Sequence, residues 1–383
     1  MTTRRSSAAA RTRSLALCLY LAAWFGAAPA PAQSTAVVPS ICAALPGNAA
    51  VSLPLRWSHG IMQVWIEASL LPTGFVGQTI SGVRLRRSTL PFDTAYGPVQ
   101  RTLTVRGAFW NIQAVQMTTS LTQNRPPALI DLFGPAPVAV AATAAPGAAT
   151  VLGEEFLHVQ FTTPLPVVAG TLCLEFETSD APLQVSSEHW VDAVWMEDGV
   201  DEGYVAFVGD GSCTTQAVPT RLAWVGSAGP DVGTTTALQA SGIPANGLVL
   251  AWVGLDPTTR PPGAGYLGFG GDFGFVEPAL AGCHQWAPFD ATWFGAADAN
   301  GRFAVGLAVP ATAALGTRLG FQVAWLDPAR SGFLPFSFSN GAVLAVGSAA
   351  IGSRCATAFF PAGVTTSPWS AFRGQMPVLM LEH

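Results

Sequence analysis

The stretch that most constrains this chain is Leu319–Gly347, LGFQVAWLDPARSGFLPFSFSNGAVLAVG. In Phe321–Leu326 the larger Phe321, Val323 and Trp325 alternate with Gln322, Ala324 and Leu326, and a period of two puts the two sets on opposite faces of a strand. Asp327-Pro328 ends the run, since proline brings no amide donor to a ladder. Phe336 and Phe338 then alternate with Ser337 and Ser339, and the apolar run Ala342–Val346 follows. Asn340-Gly341 between them reads as a type I′ hairpin turn, because both residues tolerate positive φ. Asn246-Gly247, before the apolar Leu248–Val253, is a second hairpin candidate.

The rest of the chain repeats this pattern. Its 40 Gly and 30 Pro, against 11% charged residues, suit many short strands joined by turns. Strand-like runs occupy Val51–Trp57, Met62–Ala68, Ile80–Leu85, Arg101–Ala108, Phe156–Phe161 and Thr171–Phe176. Ala136–Ala149 is punctuated by Pro and Gly and reads as a loop or edge rather than a helix. The fold class is all-β. Roughly 350 residues beyond the leader are too many for one sandwich and comfortable for two. The expected architecture is two tandem β-sandwich (jelly-roll or Ig-like) modules, 33–210 and 211–347, with an extension at 348–383 whose Met376–Leu381 is a closing strand.

Residues 1–32 read as a signal peptide. Arg4, Arg5, Arg11 and Arg13 precede the apolar Leu15–Ala28, and Ala30-Pro31-Ala32 fits the small-x-small cleavage rule. A membrane anchor is the weaker alternative, because a bilayer demands about 20 apolar residues. The expected product is exported by a Sec-type signal and is periplasmic, cell-surface or extracellular, with no transmembrane segment after cleavage. All 18 basic residues are Arg, and four leave with the leader, which makes the remainder more acidic than the chain's overall −5. Such a surface argues against nucleic acid and anionic membranes as partners.

Chemistry-bearing patterns are few. Cys42, Cys173, Cys213, Cys283 and Cys355 remain after the leader, an odd number in a disulfide-permissive compartment. None has CxxC spacing, so no zinc site is expected. Cys283-His284 invites a thiol-nucleophile reading, but strand neighbours point to opposite faces, and a structural disulfide is favoured. Arg84, Arg86 and Arg87 could meet an acidic ligand; a solvated strand face with Val83 and Leu85 turned inward is the simpler account. The densest acidic patch holds Glu188, Asp192, Asp198 and Asp201. Calcium takes six to eight oxygens and could sit there, but the spacing matches no EF-hand, and an ordinary solvated loop competes. No metal is assigned and no cofactor is expected beyond that calcium candidate. Trp65, Trp252 and Trp325 sit inside apolar runs and read as core. Trp190, Trp195, Trp286 and Trp293 lie among polar or turn residues and are the ligand candidates, since sugars stack on flat aromatic faces.

Cys213, VGTTTALQASGIPAN (Val232–Asn246), Gly282-Cys283, ADANGRFAVGLAVP (Ala297–Pro310), GFQVAWLDP and FSFSNGAVLAVG together form a pattern. It resembles the C-terminal module of a large group of uncharacterised secreted two-module β-sandwich proteins of planctomycete bacteria. ISGVRLRRS (Ile80–Ser88), TSLTQN (Thr119–Asn124) and GTLCLEFE (Gly170–Glu177) are similar to strands of that group's first module. The resemblance implies export, tandem sandwiches and a Cys213–Cys283 disulfide. It brings no catalytic residue, because the group has no established activity. Its serine-asparagine position does not regularly carry Gly next, which leaves open that Asn340-Gly341 lies within one strand. Such modules end near Gly347, so Ser348–His383 is a departure that could close a sheet of either module, with Cys355 tied to Cys42 or Cys173.

Three function classes follow. A non-catalytic extracellular or cell-envelope protein with a structural or adhesion role is favoured by the missing nucleophile–base pattern and the low charge. A lectin-like carbohydrate-binding protein, partnered by an extracellular glycan, is supported by the tryptophans. An exported hydrolase would have to draw on scattered acids, which cannot be paired from sequence at the separation of about 5–9 Å a glycosidase needs, and on His158, His189 and His284.

Overall fold

A computed structural model describes residues 34–383 except 53, 56–58, 91–94, 181–188, 196–202, 212, 226–228, 264, 349–353 and 362–369. The expected signal peptide, residues 1–32, lies outside the described residues. Regular structure among them consists of strands and one-turn 3-10 helices.

The first half contributes β1 (Thr35–Val38), β2 (Ala49–Val51), β3 (His59–Ile66), β4 (Thr79–Arg86), β5 (Val99–Trp110), β6 (Ile130–Val140), β7 (Glu155–Pro166), β8 (Thr171–Ser179) and β9 (Val191–Trp195). The middle contributes β10 (Tyr204–Val208), β11 (Arg221–Trp224), β12 (Thr235–Ser241), β13 (Leu248–Leu255), β14 (Gly271–Asp272), β15 (His284–Gln285), β16 (Ala291–Ala296), β17 (Phe303–Ala308), β18 (Arg318–Leu326), β19 (Phe336–Phe338) and β20 (Gly341–Ala345). The tail adds β21 (Cys355–Pro361), β22 (Ser370–Arg373), β23 (Gln375–Pro377) and β24 (Leu379–Glu382).

Three sheets belong to the first half, with strand orders β22-β21-β3-β8-β5-β6, β1-β24-β4-β7 and β2-β9-β23. Every one of them takes a tail strand, and β21, β23 and β24 lie next to β3, β9 and β4. Alternation decides which side chains go inside. Leu172, Leu174 and Phe176 of β8 join Met62 and Val64 of β3 and Val83 and Leu85 of β4 in one core. The opposite face of β3, β8 and β21 carries Trp65, Cys173, Ala358 and Phe360, covered by Ala114, Met117 and Leu121. Ala136–Val140 falls at the end of β6, an edge strand.

The second half has two main sheets, β10-β20-β18-β13-β16, with β19 also pairing to β18, and β11-β12-β17. Phe321, Val323 and Trp325 of the first share a core with Leu222, Leu238 and Leu307 of the second. On the other face of β13 and β18, Trp252, Ala324 and Phe338 lie under Phe273, Leu280 and Cys283. A disulfide joins Cys213 to Cys283 across 70 residues and pins that covering segment. Trp65, Trp252 and Trp325 are core, as read from their apolar runs.

The halves are fused through β10, which precedes residue 210 yet pairs with β20. Tyr204, Ala206, Val208, Val343 and Ala345 belong to the first core, while Val205, Ala342 and Leu344 belong to the second. One two-stranded ribbon therefore serves both.

Two turn expectations are corrected. Asn340-Gly341 is no hairpin: β19 and β20 run along the same stretch of β18, Phe338 opposite Ala324 and Ala342 opposite Phe321. Between those pairs Ser339, Asn340 and Gly341 face only Val323 and Gln322, three residues against two, which makes Ser339-Asn340 a bulge. Asn246 does hold a positive φ of 57°, but the turn links β12 and β13, which lie in different sheets. It is a corner, hydrogen-bonded to the neighbouring corner by Asn246 N–H to Asp298 O and Ala297 N–H to Gly247 O. The expected tie from Cys355 to Cys42 or Cys173 is also absent: these three buried cysteines form no disulfide, and Cys173 faces a different core from Cys42 and Cys355.

Candidate functional site

The four tryptophans singled out as ligand candidates differ in burial and placement. Trp286 is 2% exposed and is corrected to a core residue. Its ring meets Phe269 edge-on at 5.3 Å, and Gly209, Gly270 and Gly341 form a slot around it that any Cβ would crowd. Trp195 is exposed on β9, its N–H donating to Asn48 Oδ1 at 2.8 Å. Trp190 is half-buried, and its carbonyl accepts from Ser88 N–H. Trp293 lies on β16 opposite Ala251. There it lines an apolar groove of about 330 Å³ with Val253, Leu255, Leu307, Leu319 and Leu344.

The acidic candidates also change character. Asp192 is buried within β9, not in a loop. Its carboxylate accepts from Arg86 at 2.7 Å and from Gly47 N–H at 2.8 Å, so it is corrected from calcium candidate to buried ion-pair partner. Burial raises its pKa to about 6 against the opposing pull of Arg86. Glu188, Asp198 and Asp201 lie outside the described residues. Among the described residues no group of three or more His, Cys, Asp or Glu side chains is arranged to hold a metal.

Arg86 and Arg87 are likewise not a solvated face. Both are buried; Arg87 lies over the Tyr96 ring at 4.1 Å and donates to Thr143 Oγ1 at 3.0 Å. Arg84 alone stays partly exposed, bridging Glu155 and Glu382.

The remaining nucleophile and base candidates have structural partners. Cys283 is oxidised to its disulfide, and His284 Nδ1 lies 3.0 Å from Gly270 O. His189 is buried against Tyr96 and Phe156, its pKa lowered by burial. His158 Nε2 meets Glu382 at 3.1 Å. Glu175 is buried on the outer face of β8 and accepts from Gln63, Arg106 and Arg125.

Two features that local patterning did not reveal remain on the surface of the second half. The first is an apolar sheet face. Phe294, Leu250, Ala324 and Phe338 form one cross-strand row. Beyond it Leu248 lies opposite Ala296, and Leu326 opposite Phe336. The segment pinned by the disulfide covers Phe338 and Ala324 but leaves Phe294 84% and Leu248 61% exposed. No charged residue occurs in β13, β16 or β19, and β16 is the edge of its sheet.

The second feature is a cavity of about 340 Å³ where the halves meet. It is lined by Thr89, Leu90, Thr150, Phe207, Asp210, Arg221, Trp224 and Asn340 among others. Its residues come from five separate stretches of chain, so no spacing motif announces it.

No family model matches this chain, and no curated protein matches it.

Proposed function

We propose that this is a non-catalytic extracellular or cell-envelope protein, exported by its N-terminal leader and built as two tandem β-sandwich modules, with a structural or adhesion role. The observation that carries this reading is the exposed apolar sheet edge of β13 and β16, two strands without a charged residue. Large apolar side chains left exposed at a sheet edge, here Phe294 and Leu248, are costly to leave in water and mark contact surfaces. The engagement of the histidines and buried carboxylates in structural pairs supports the absence of catalysis.

The test is attachment. Phe294→Asp and Leu248→Asp change side chains that support no core, so the fold is retained. Each is expected to weaken binding of labelled protein to cell-envelope material by about tenfold or more, the scale of a lost interface anchor. Unchanged attachment in both variants, or turnover of any substrate in a broad hydrolase panel, would overturn the reading.

A second reading, a carbohydrate-binding exported protein, is favoured by the cavity between the halves, which joins an accessible indole to side chains that donate and accept hydrogen bonds.

A further inference from the structure

We propose that the cavity between Thr89 and Trp224 binds one neutral saccharide unit of a larger glycan. The proposal rests on the carbohydrate-binding reading and adds the site, the contacts and the ligand class. It moves the recognition tryptophan away from the four that sequence singled out.

The volume comes first. About 340 Å³ is at the small end of ligand pockets, which suits a single ring and not an extended chain. The rim supplies the apolar plate. Trp224 ends β11, an edge strand, and remains 37% exposed beside the cavity. An accessible indole can take the C–H face of a pyranose.

Polar groups complete the site. Asn340 is only 6% exposed, and its Oδ1 accepts the Leu222 N–H at 2.7 Å. That bond fixes the amide and leaves its Nδ2 donor for the cavity. The bulge in the strand facing β18 places Asn340 here; bulges re-aim side chains next to sites. Thr89 also lines the cavity, and its Oγ1 is buried with no hydrogen-bond partner. A buried hydroxyl left unsatisfied is disfavoured, and a sugar hydroxyl would satisfy it. Arg221 Nε donates to the Asp210 main-chain carbonyl at 3.3 Å, and both residues line the cavity.

The chemistry therefore offers an apolar plate, donors and acceptors of both kinds, and no net charge from its one Arg and one Asp. A ring that is apolar on one face and hydroxylated at its rim matches all three. A uronic acid would face Asp210 as well as Arg221.

The experiment is calorimetric and fluorescence titration of the purified full chain with neutral mono- and oligosaccharides, and with glucuronate. Neutral sugars are expected to saturate. Trp224→Ala should weaken binding about tenfold or more, as loss of a stacking anchor does. Thr89→Val, which keeps shape and fold, should weaken it several-fold. Trp195→Ala and Trp293→Ala should leave it unchanged. Binding that survives both Trp224→Ala and Thr89→Val would overturn this site while leaving the carbohydrate reading standing. No binding of any neutral sugar at millimolar concentration would overturn both, and binding of glucuronate alone would overturn the ligand class.

Discussion

Gly341 in β20 lies flush against the side chain of Trp286. A Cβ at 341 would stand 2.6 Å from the Trp286 Cγ, a separation that packed atoms do not tolerate. Gly341 has no positive φ, so it is a glycine for space and not for backbone conformation.

Gly341→Ala is therefore expected to destabilise the fold by about 3 kcal/mol, the upper range for overpacking a full core. Trp286→Ala should cost about 3–5 kcal/mol through the cavity it leaves. Because the methyl group added at 341 would meet the Trp286 side chain, the double variant should cost less than the sum. Urea denaturation of the three variants checks this, and strict additivity would refute the contact.

Two buried carboxylates should titrate in opposite directions. Asp192, withdrawn from water with one arginine, is pushed up to about 6 by burial. Burial would also raise Glu175, but hydrogen bonds from Arg125, Gln63 and Arg106 hold it below its ordinary value of 4.5. Between its ordinary 3.8 and about 6, folded Asp192 binds its proton more tightly than the unfolded chain does. Its contribution to stability therefore grows as pH falls through that window. The Glu175 contribution is fully present above 4.5 and is lost as pH falls through its depressed folded value. Carbon-13 titration of both carboxyl groups tests the pair; an Asp192 midpoint near 3.8 would remove the first half of the claim. Asp192→Asn should abolish the gain between pH 6 and 4.

The disulfide and the remaining thiols should behave differently under modification. Closing a 70-residue loop restricts the unfolded chain by about 4 kcal/mol in the chain-entropy picture, so Cys213→Ser with Cys283→Ser should lower the unfolding free energy by a comparable amount. A non-reduced digest should contain a Cys213–Cys283 linked peptide. Cys42 and Cys173 are buried, and desolvation raises both thiols, Cys173 to about 12. Neither should react with a thiol reagent at pH 8 until the chain unfolds. Rapid native labelling of either would contradict its burial.

What was legible in the sequence was what alternation controls. The strand-like run Thr171–Phe176 places each residue's face by parity, and the structure puts Leu172, Leu174 and Phe176 into the core. Partners brought from a distance leave no such trace. Trp286 sits in CHQWAPFD, a polar neighbourhood, and the slot that buries it is built from Gly209, Gly270 and Gly341. Arg86 looks like a solvated position by parity, but β9 brings Asp192 over it. Asn340-Gly341 carried a real signal of irregular backbone, yet bulge and hairpin share that signal, and only the register along β18 separates them. The cavity assembles from five stretches and had no local signature.

The last prediction concerns β24. Val378, Leu379 and Leu381 are fully buried in the first core, and β24 lies between β1 and β4. Glu382 is also buried, its carboxylate meeting Arg84 and His158. A chain stopped at Pro377 would lose three apolar side chains worth about 1.5–3 kcal/mol each. It would also open a gap in a four-stranded sheet. That loss approaches the whole margin of a typical domain, about 5–15 kcal/mol, so the truncated chain should fail to unfold cooperatively. Glu382→Gln keeps the strand and removes only the charge; because the pair has a buried member, it should cost about 1–3 kcal/mol. Thermal unfolding of both variants separates the contributions. A cooperative transition in the truncated chain, close to that of the full chain, would show that β24 covers the core without holding it together.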